Sequence, residues 1–410
     1  MKRDRNLMLF AQFVLFVLLS LIVTLNAQGN NQTEPNREYR FLFGPPDEIE
    51  IIATAGASLN KVFQDIYYKE LRPRLPKKFE IIGETIWAVY WTYFFTLWPH
   101  EFGHWARAQQ VGGDFDFKGF GFPFPKAEMK LPLSLAPGEG TLTSIGGFEI
   151  NNLMKRQTHI DFYHNKFAYA DELMHAFIQE VQFPFYAFVI IPTDPNKPST
   201  WTDMRGDPVE STLSIYKDYT GRPAIREDGS VDSELIDYYR ESVYLSLLWT
   251  LLDPMLYQSA KAFAVDKKKN YGLMKPWMLG NERNAWAYST QFHPSPLGYE
   301  LYFTNYLRLN GKLYTFYFKT GRPYKNIGIG IHIPGLVEKG GFILEAASDF
   351  WNQDIYGSGI AVSLGIQYHL YKGLGLLLKG SWKEQGYLIG KRVEKSTMLL
   401  AGFNYQFKTP

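Results

Sequence analysis

The sequence predicts an α+β protein, a helical half bearing a histidine–glutamate metal motif followed by an antiparallel β half. Three observations carry that reading. Residues 45–265 hold several apolar stretches with helical spacing, one of which runs into His100-Glu101-Phe102-Gly103-His104. Residues 285–410 alternate with period two, the signature of strands with two unlike faces. Between the halves lie a charged turn, Asp266 to Asn270, and a connection rich in Gly, Pro and Trp. The expected divisions are residues 1–27, 28–280 and 281–410.

The first division reads as an export signal. Lys2, Arg3 and Arg5 precede an apolar run from Leu7 to Leu25, and Leu25-Asn26-Ala27 could close a cleavage site. The run is also long enough for an uncleaved anchor. Either form places the rest of the chain outside the cytoplasm, in the cell envelope. Composition narrows the partners. A net charge of +2 leaves no basic footprint for nucleic acid. Aromatics at 17% and charged residues at only 20% suit a protein that meets a membrane interface, and equally one with a large aromatic core. With no cysteine, any metal must be held by histidine and carboxylate.

The second division contains three apolar segments, Ile81 to Trp98, Leu173 to Ile191 and Ser242 to Ala264. Each is short or interrupted for a membrane span, and buried core helices fit them as well. Pro99 directly precedes the motif, where it either kinks a helix or starts one. On that helix His100 and His104 share a face, so both imidazoles can reach one ion, and Glu101 stands beside a water on that ion. The ion expected is Zn2+, with Glu101 as general base.

Catalytic zinc needs a third protein ligand. His293, His332 and His369 fall in the strand-rich half and read as surface or lumen residues. His159 and His164 lie in a polar stretch, Thr158 to Lys166, that reads as a loop, and His175 opens an apolar segment. Asp253 differs in kind, being a carboxylate that closes the apolar helix pattern Leu247 to Asp253. Two readings stand: a metal ligand, or an Asp-Pro step whose carboxylate caps a new helix at Pro254.

In the third division Ile327, Ile329, Ile331 and Ile333 alternate with glycines and His332. Val362 to Leu370 and Leu399 to Phe407 alternate in the same way, with turns at Asn310-Gly311, Gly340-Gly341 and Lys372-Gly373. Such strands fit a small outer-membrane-type β-barrel, and also a soluble barrel or sandwich. We favour the membrane barrel.

The stretch His100 to Ala108, then Val111-Gly112-Gly113 and Phe120-Gly121-Phe122-Pro123, resembles the start of the site-2 protease family of zinc metalloproteases. Leu252-Asp253 resembles that family's later leucine–aspartate pair, although Pro254 stands where the family has glycine. Ile145-Gly146-Gly147-Phe148 resembles its glycine-rich strand. The resemblance implies that His100, His104 and Asp253 bind zinc and that Glu101 is the general base; on the peptidase reading, the strand near Gly146-Gly147 could hold a peptide or protein substrate in extended form by edge pairing. It spans roughly residues 85 to 260.

Two other readings come from the residues. Glu101-x-x-His104 and Glu172-x-x-His175 are both Glu-x-x-His pairs, which with Glu84 and Glu241 could build a di-iron carboxylate centre. The chain could also be a non-enzymatic outer-membrane barrel whose helical part binds a partner.

Overall fold

A computed structural model describes residues 37–79, 82–83, 86–87, 93–119, 126–190, 194–203, 206–261, 273–371 and 373–407. The expected signal peptide or anchor at residues 1–27, the turn at 266–270, Phe120 to Pro123 and Glu84 lie outside the described residues.

The chain is α+β, as its two textures predict. Strand β1 (Arg37–Phe43) leads to helix α1 (Ile49–Ile66), then to α2 (Trp98–Gln110), which carries the motif. A small hairpin follows, β2 (Asp114–Gly119) and β3 (Lys126–Lys130), and then the long helix α3 (Glu139–Asn165). Next come β4 (Ala168–Tyr169), α4 (Ala170–Phe185), α5 (Pro198–Thr202) and α6 (Asp207–Thr220). Helices α7 (Ser233–Leu252) and α8 (Pro254–Lys261) complete the helical part. Short strands β5 (Leu273–Met274) and β6 (Leu279–Gly280) precede eight long ones. These are β7 (Ala285–Ser295), β8 (Gly298–Leu309), β9 (Lys312–Pro323), β10 (Asn326–Lys339), β11 (Phe342–Gln353), β12 (Gly357–Tyr371), β13 (Leu374–Lys383) and β14 (Ser396–Phe407).

The eight long strands form an antiparallel meander. β6 adds to one side and β1 to the other, giving the order β1-β14-β13-β12-β11-β10-β9-β8-β7-β6. The sheet is therefore open among the described residues, and the expected closed barrel is not formed. Helices occupy both margins. Ala55, Leu59 and Val62 of α1 pack on Tyr39 and Phe41 of β1, while Phe183 of α4 and Val243 of α7 share a core with Phe292 of β7. Because β1 comes from before the motif helix and pairs with the last strand, the two halves of the sequence interlock.

The faces of this sheet are inverted relative to a soluble protein. Ile327, Ile329 and Ile331, with Val362, Leu364 and Ile366, point outward and are exposed. The intervening positions point toward the helices and bury charge. Lys319 lies 3.0 Å from Glu300 with both fully buried, Lys379 pairs with Glu50 at 2.5 Å, and Tyr317 Oη donates to Asp349 at 2.5 Å. Buried charge is tolerated because it is paired.

Two local expectations fail in the helical half. Ile145 to Phe148 is not a strand but lies inside α3, and Thr158 to Asn165 is the last part of the same helix rather than a loop. α3 is buried along most of its length and lacks an apolar stripe, so no helical period shows in its sequence. Its glycines serve close packing. A Cβ at Gly103 of α2 would collide with the Gly146 carbonyl oxygen, and one at Gly146 with the backbone of Gly103. Glycine in a helix interior costs about 1 kcal/mol relative to alanine, and here it lets two backbones touch.

Candidate metal centre

Helix α2 opens at Trp98 with Pro99 in its first turn, a place where the missing N–H of proline costs nothing. A π-helical turn, Tyr93–Leu97, feeds directly into it; such turns recur at functional sites. One turn apart, His100 and His104 point to the same side and are almost fully buried, their ring centroids 4.8 Å apart.

The third group is Asp207, which the sequence reading did not select. Its Oδ2 lies 2.9 Å from His100 Nε2 and 3.3 Å from His104 Nε2. Nitrogen and oxygen ligands at 2.0–2.1 Å from a tetrahedral ion sit roughly 3.3 Å from one another, close to the separations found. These three side chains are the one cluster of potential metal ligands among the described residues, with ligand atoms within 4.8 Å of one another. Asp207 is the first residue of α6, preceded by Gly206 at φ 94° and followed by Pro208. Gly-Asp-Pro is a helix-start signature, and it was legible. What it could not reveal is that this helix end meets α2.

The other ring nitrogens are anchored by the protein. His104 Nδ1 lies 2.6 Å from the Thr143 carbonyl oxygen, an acceptor that fixes the proton on Nδ1 and leaves Nε2 to face Asp207. His100 Nδ1 lies 3.1 Å from the Asn151 amide, itself hydrogen-bonded to Gln182. Gly147 matters here as well, because a Cβ on it would overlap the His100 imidazole. Thr143, Gly147 and Asn151 all come from α3, the helix whose glycines admit α2.

Electrostatics follow from the geometry. Burial works against the Asp207 carboxylate, but the two imidazoles prevail and hold it well below the usual carboxylate range. Burial likewise disfavours a charged His104, yet Asp207 pushes its pKa up to about 10. A cation entering here would displace that proton. Glu101 is raised above the ordinary glutamate value, chiefly by burial and despite the nearby imidazoles. Glu210, one turn along α6, is pushed up to about 7 by burial and by Asp207. The Tyr186 phenol, in a second π-helical turn (Tyr186–Ile190), is raised by burial and by the carboxylates of Asp207, Glu101 and Glu210, so it stays protonated.

Asp253 stands elsewhere. Its Oδ2 is 3.0 Å from Lys155 Nζ, which also pairs with Glu180 at 2.5 Å, and its Oδ1 accepts from Met255 N at 2.8 Å. It is fully buried, and its role is to cap α8 and balance Lys155. The ligand reading of Asp253 is thus replaced by the capping one: its carboxylate is spent on Met255 N and Lys155, away from the two histidines. Among the described residues, those of the di-iron reading do not converge either. Glu172 pairs with Arg37 at 2.9 Å, His175 Nδ1 lies 3.0 Å from Asn60 Nδ2, and Glu241 binds Tyr299 and Arg322. His293 is fully buried between Asn152 and Tyr387.

Behind the site, Arg107 of α2 and Glu149 of α3 form a bidentate pair with both side chains fully buried. Glu149 also accepts from Gly390 N at 2.7 Å and Tyr387 Oη at 3.2 Å, tying the motif helix to the loop before β14.

No protein-family model matches the chain, and no curated protein matches it. Among solved structures, a bacterial polysaccharide outer membrane secretin is similar over 32% of this chain and 53% of that one, at 14% identity and a TM-score of 0.18. That score is far below what a shared fold gives, so function must be argued from the site.

Proposed function

We propose that the chain is a zinc-dependent metallopeptidase of the cell envelope. The observation that carries this reading is the convergence of His100 Nε2 and His104 Nε2 on Asp207 Oδ2, with Glu101 alongside. The donor set fits zinc: two imidazoles, one carboxylate and no thiolate, with His104 Nδ1 donating to the Thr143 carbonyl and His100 Nδ1 accepting from the Asn151 amide, so that a cation would take the place of the proton on His100 Nε2. Zinc held by these three residues would supply Lewis acidity, bringing a water's pKa near 7 and polarising a carbonyl.

The remaining work falls to the chain. Glu101, with its raised affinity for a proton, takes one from the attacking water and returns it to the departing amine. Tyr186 keeps its phenolic proton and is available to donate a hydrogen bond to the oxygen that gains charge. Gly147 and Asn151 keep the His100 ring in place. With Ile145 to Phe148 helical, a peptide has no edge strand there to pair with.

The envelope placement rests on the inverted sheet. Apolar side chains that face outward on successive strands, over a polar and charged inner face, suit a wall set in lipid. No described helix is long and apolar enough to cross a membrane.

Glu101→Gln tests the chemistry. The variant should bind zinc one-to-one like the parent, while peptide hydrolysis falls by about 10²–10⁴-fold, the usual worth of a general base. Undiminished hydrolysis would remove Glu101 from the mechanism.

A further inference from the structure

Helix α7 changes character halfway along. In its first half the exposed residues are Ser233, Glu234, Asp237 and Arg240. In its second half they are Tyr244, Leu247, Leu248, Leu251 and Leu252, between 39% and 63% exposed. The spacing of 3, 1, 3 and 1 residues puts those five on one stripe. The side turned to the protein is mixed: Val243 joins the core around Phe183 and Phe292, and beside it lie three hydroxyls. Ser242 Oγ donates to the Tyr239 carbonyl at 2.8 Å, Ser246 Oγ to Val243 at 2.7 Å and Thr250 Oγ1 to Ser246 at 2.9 Å, all three buried. A helix on a water-soluble surface turns its charged and polar residues outward, and here that place is taken by a tyrosine and four leucines.

The stripe adjoins the inverted sheet. α7 packs on β7, with Thr290 Oγ1 donating to the Trp249 carbonyl at 2.6 Å and Trp249 Nε1 to the Tyr302 carbonyl at 3.0 Å. Beyond them Phe303, Phe316 and Phe318 of β8 and β9 are exposed on the sheet. This is the margin where the sheet stops: only the two-residue β6 follows β7. An unpaired strand edge in hydrocarbon is costly, whereas a helix satisfies its own backbone.

We propose that the second half of α7 is a helical stave in a lipid-facing wall, in contact with acyl chains and continuing the apolar band of the sheet past β7. The inference rests on the membrane placement of the sheet proposed above and is independent of the metal. At 1.5 Å per residue, Tyr244 to Leu252 spans roughly 13 Å, about half of an apolar band some 25 Å tall. The stave therefore enters from the Arg240 side without crossing alone, and Tyr257 of α8, exposed as well, extends the same surface.

The absence of cysteine makes the test direct. Asp237→Cys, Leu248→Cys, Leu251→Cys and, on the sheet, Leu364→Cys are each labelled with a bimane fluorophore. The full chain is then reconstituted into phosphatidylcholine–phosphatidylglycerol vesicles, and circular dichroism matching the parent qualifies each variant. Labels at Leu248, Leu251 and Leu364 should lose most of their emission to lipids spin-labelled in the acyl chain and little to aqueous iodide, with the reverse at Asp237. If Leu364 is quenched from lipid but Leu248 and Leu251 from water, the stave is refuted while the membrane sheet stands. If Leu364 is also quenched from water, the membrane placement fails and the stave with it. Protection of Leu248 and Leu251 from both quenchers means that protein, such as a second copy, covers the stripe, and this too overturns the proposal.

Discussion

The sharpest prediction sets two aspartates against each other. Asp207 accepts at 2.9 and 3.3 Å from the two motif imidazoles, while Asp253 sits with Lys155 and Glu180. Asp207→Ala deletes the proposed third ligand. Loss of a mere outer-shell partner costs about 10–100-fold in metal affinity, so the loss here should be at least that large. Asp253→Asn keeps a side-chain oxygen to cap Met255 N but removes a charge beside Lys155. An orphaned buried charge costs about 3–5 kcal/mol. Here Glu180 moderates the cost: it is held well above the usual carboxylate range by burial and by Asp253, so once Asp253 is neutral Glu180 can ionise and take over Lys155. We expect about 1–3 kcal/mol. The assays are zinc affinity against a competing chelator and thermal unfolding with and without zinc. Zinc at 100 times its Kd should stabilise the parent and Asp253→Asn by about 2.7 kcal/mol, and Asp207→Ala by about 1.4 kcal/mol or less. Parent-like zinc binding by Asp207→Ala, or its loss in Asp253→Asn, would refute the assignment of the third ligand.

Two further outcomes follow from the packing behind the site. Gly147→Ala should weaken zinc binding while the protein stays folded, at an overpacking cost of about 1–3 kcal/mol, because the added methyl displaces the His100 ring; unchanged zinc affinity would show that ring position is not set there. Glu149→Gln leaves Arg107 buried without its carboxylate and should cost about 3–5 kcal/mol in chemical denaturation, and a loss under 1 kcal/mol would mean that Arg107 finds another partner.

By itself the sequence determined what is periodic or local. The alternation of Ile327, Ile329 and Ile331 fixed which side chains share a face of β10, because successive residues of a strand point to opposite sides. Two histidines four apart fixed one face of α2, because a helix repeats every 3.6 residues. Tertiary structure decided everything that joins distant segments. It set Asp207, not Asp253, beside the two histidines, since a carboxylate at a helix start and one at an Asp-Pro step look alike until their neighbours are known. It also made Ile145 to Phe148 helical, since a helix buried on all sides shows no apolar period, and its glycines gain their purpose from the backbone they touch. The open margin between β1 and β6 was equally beyond the pattern of single strands, because closure depends on which strand ends meet, and among the described residues β1 and β6 do not pair while helices pack near each margin.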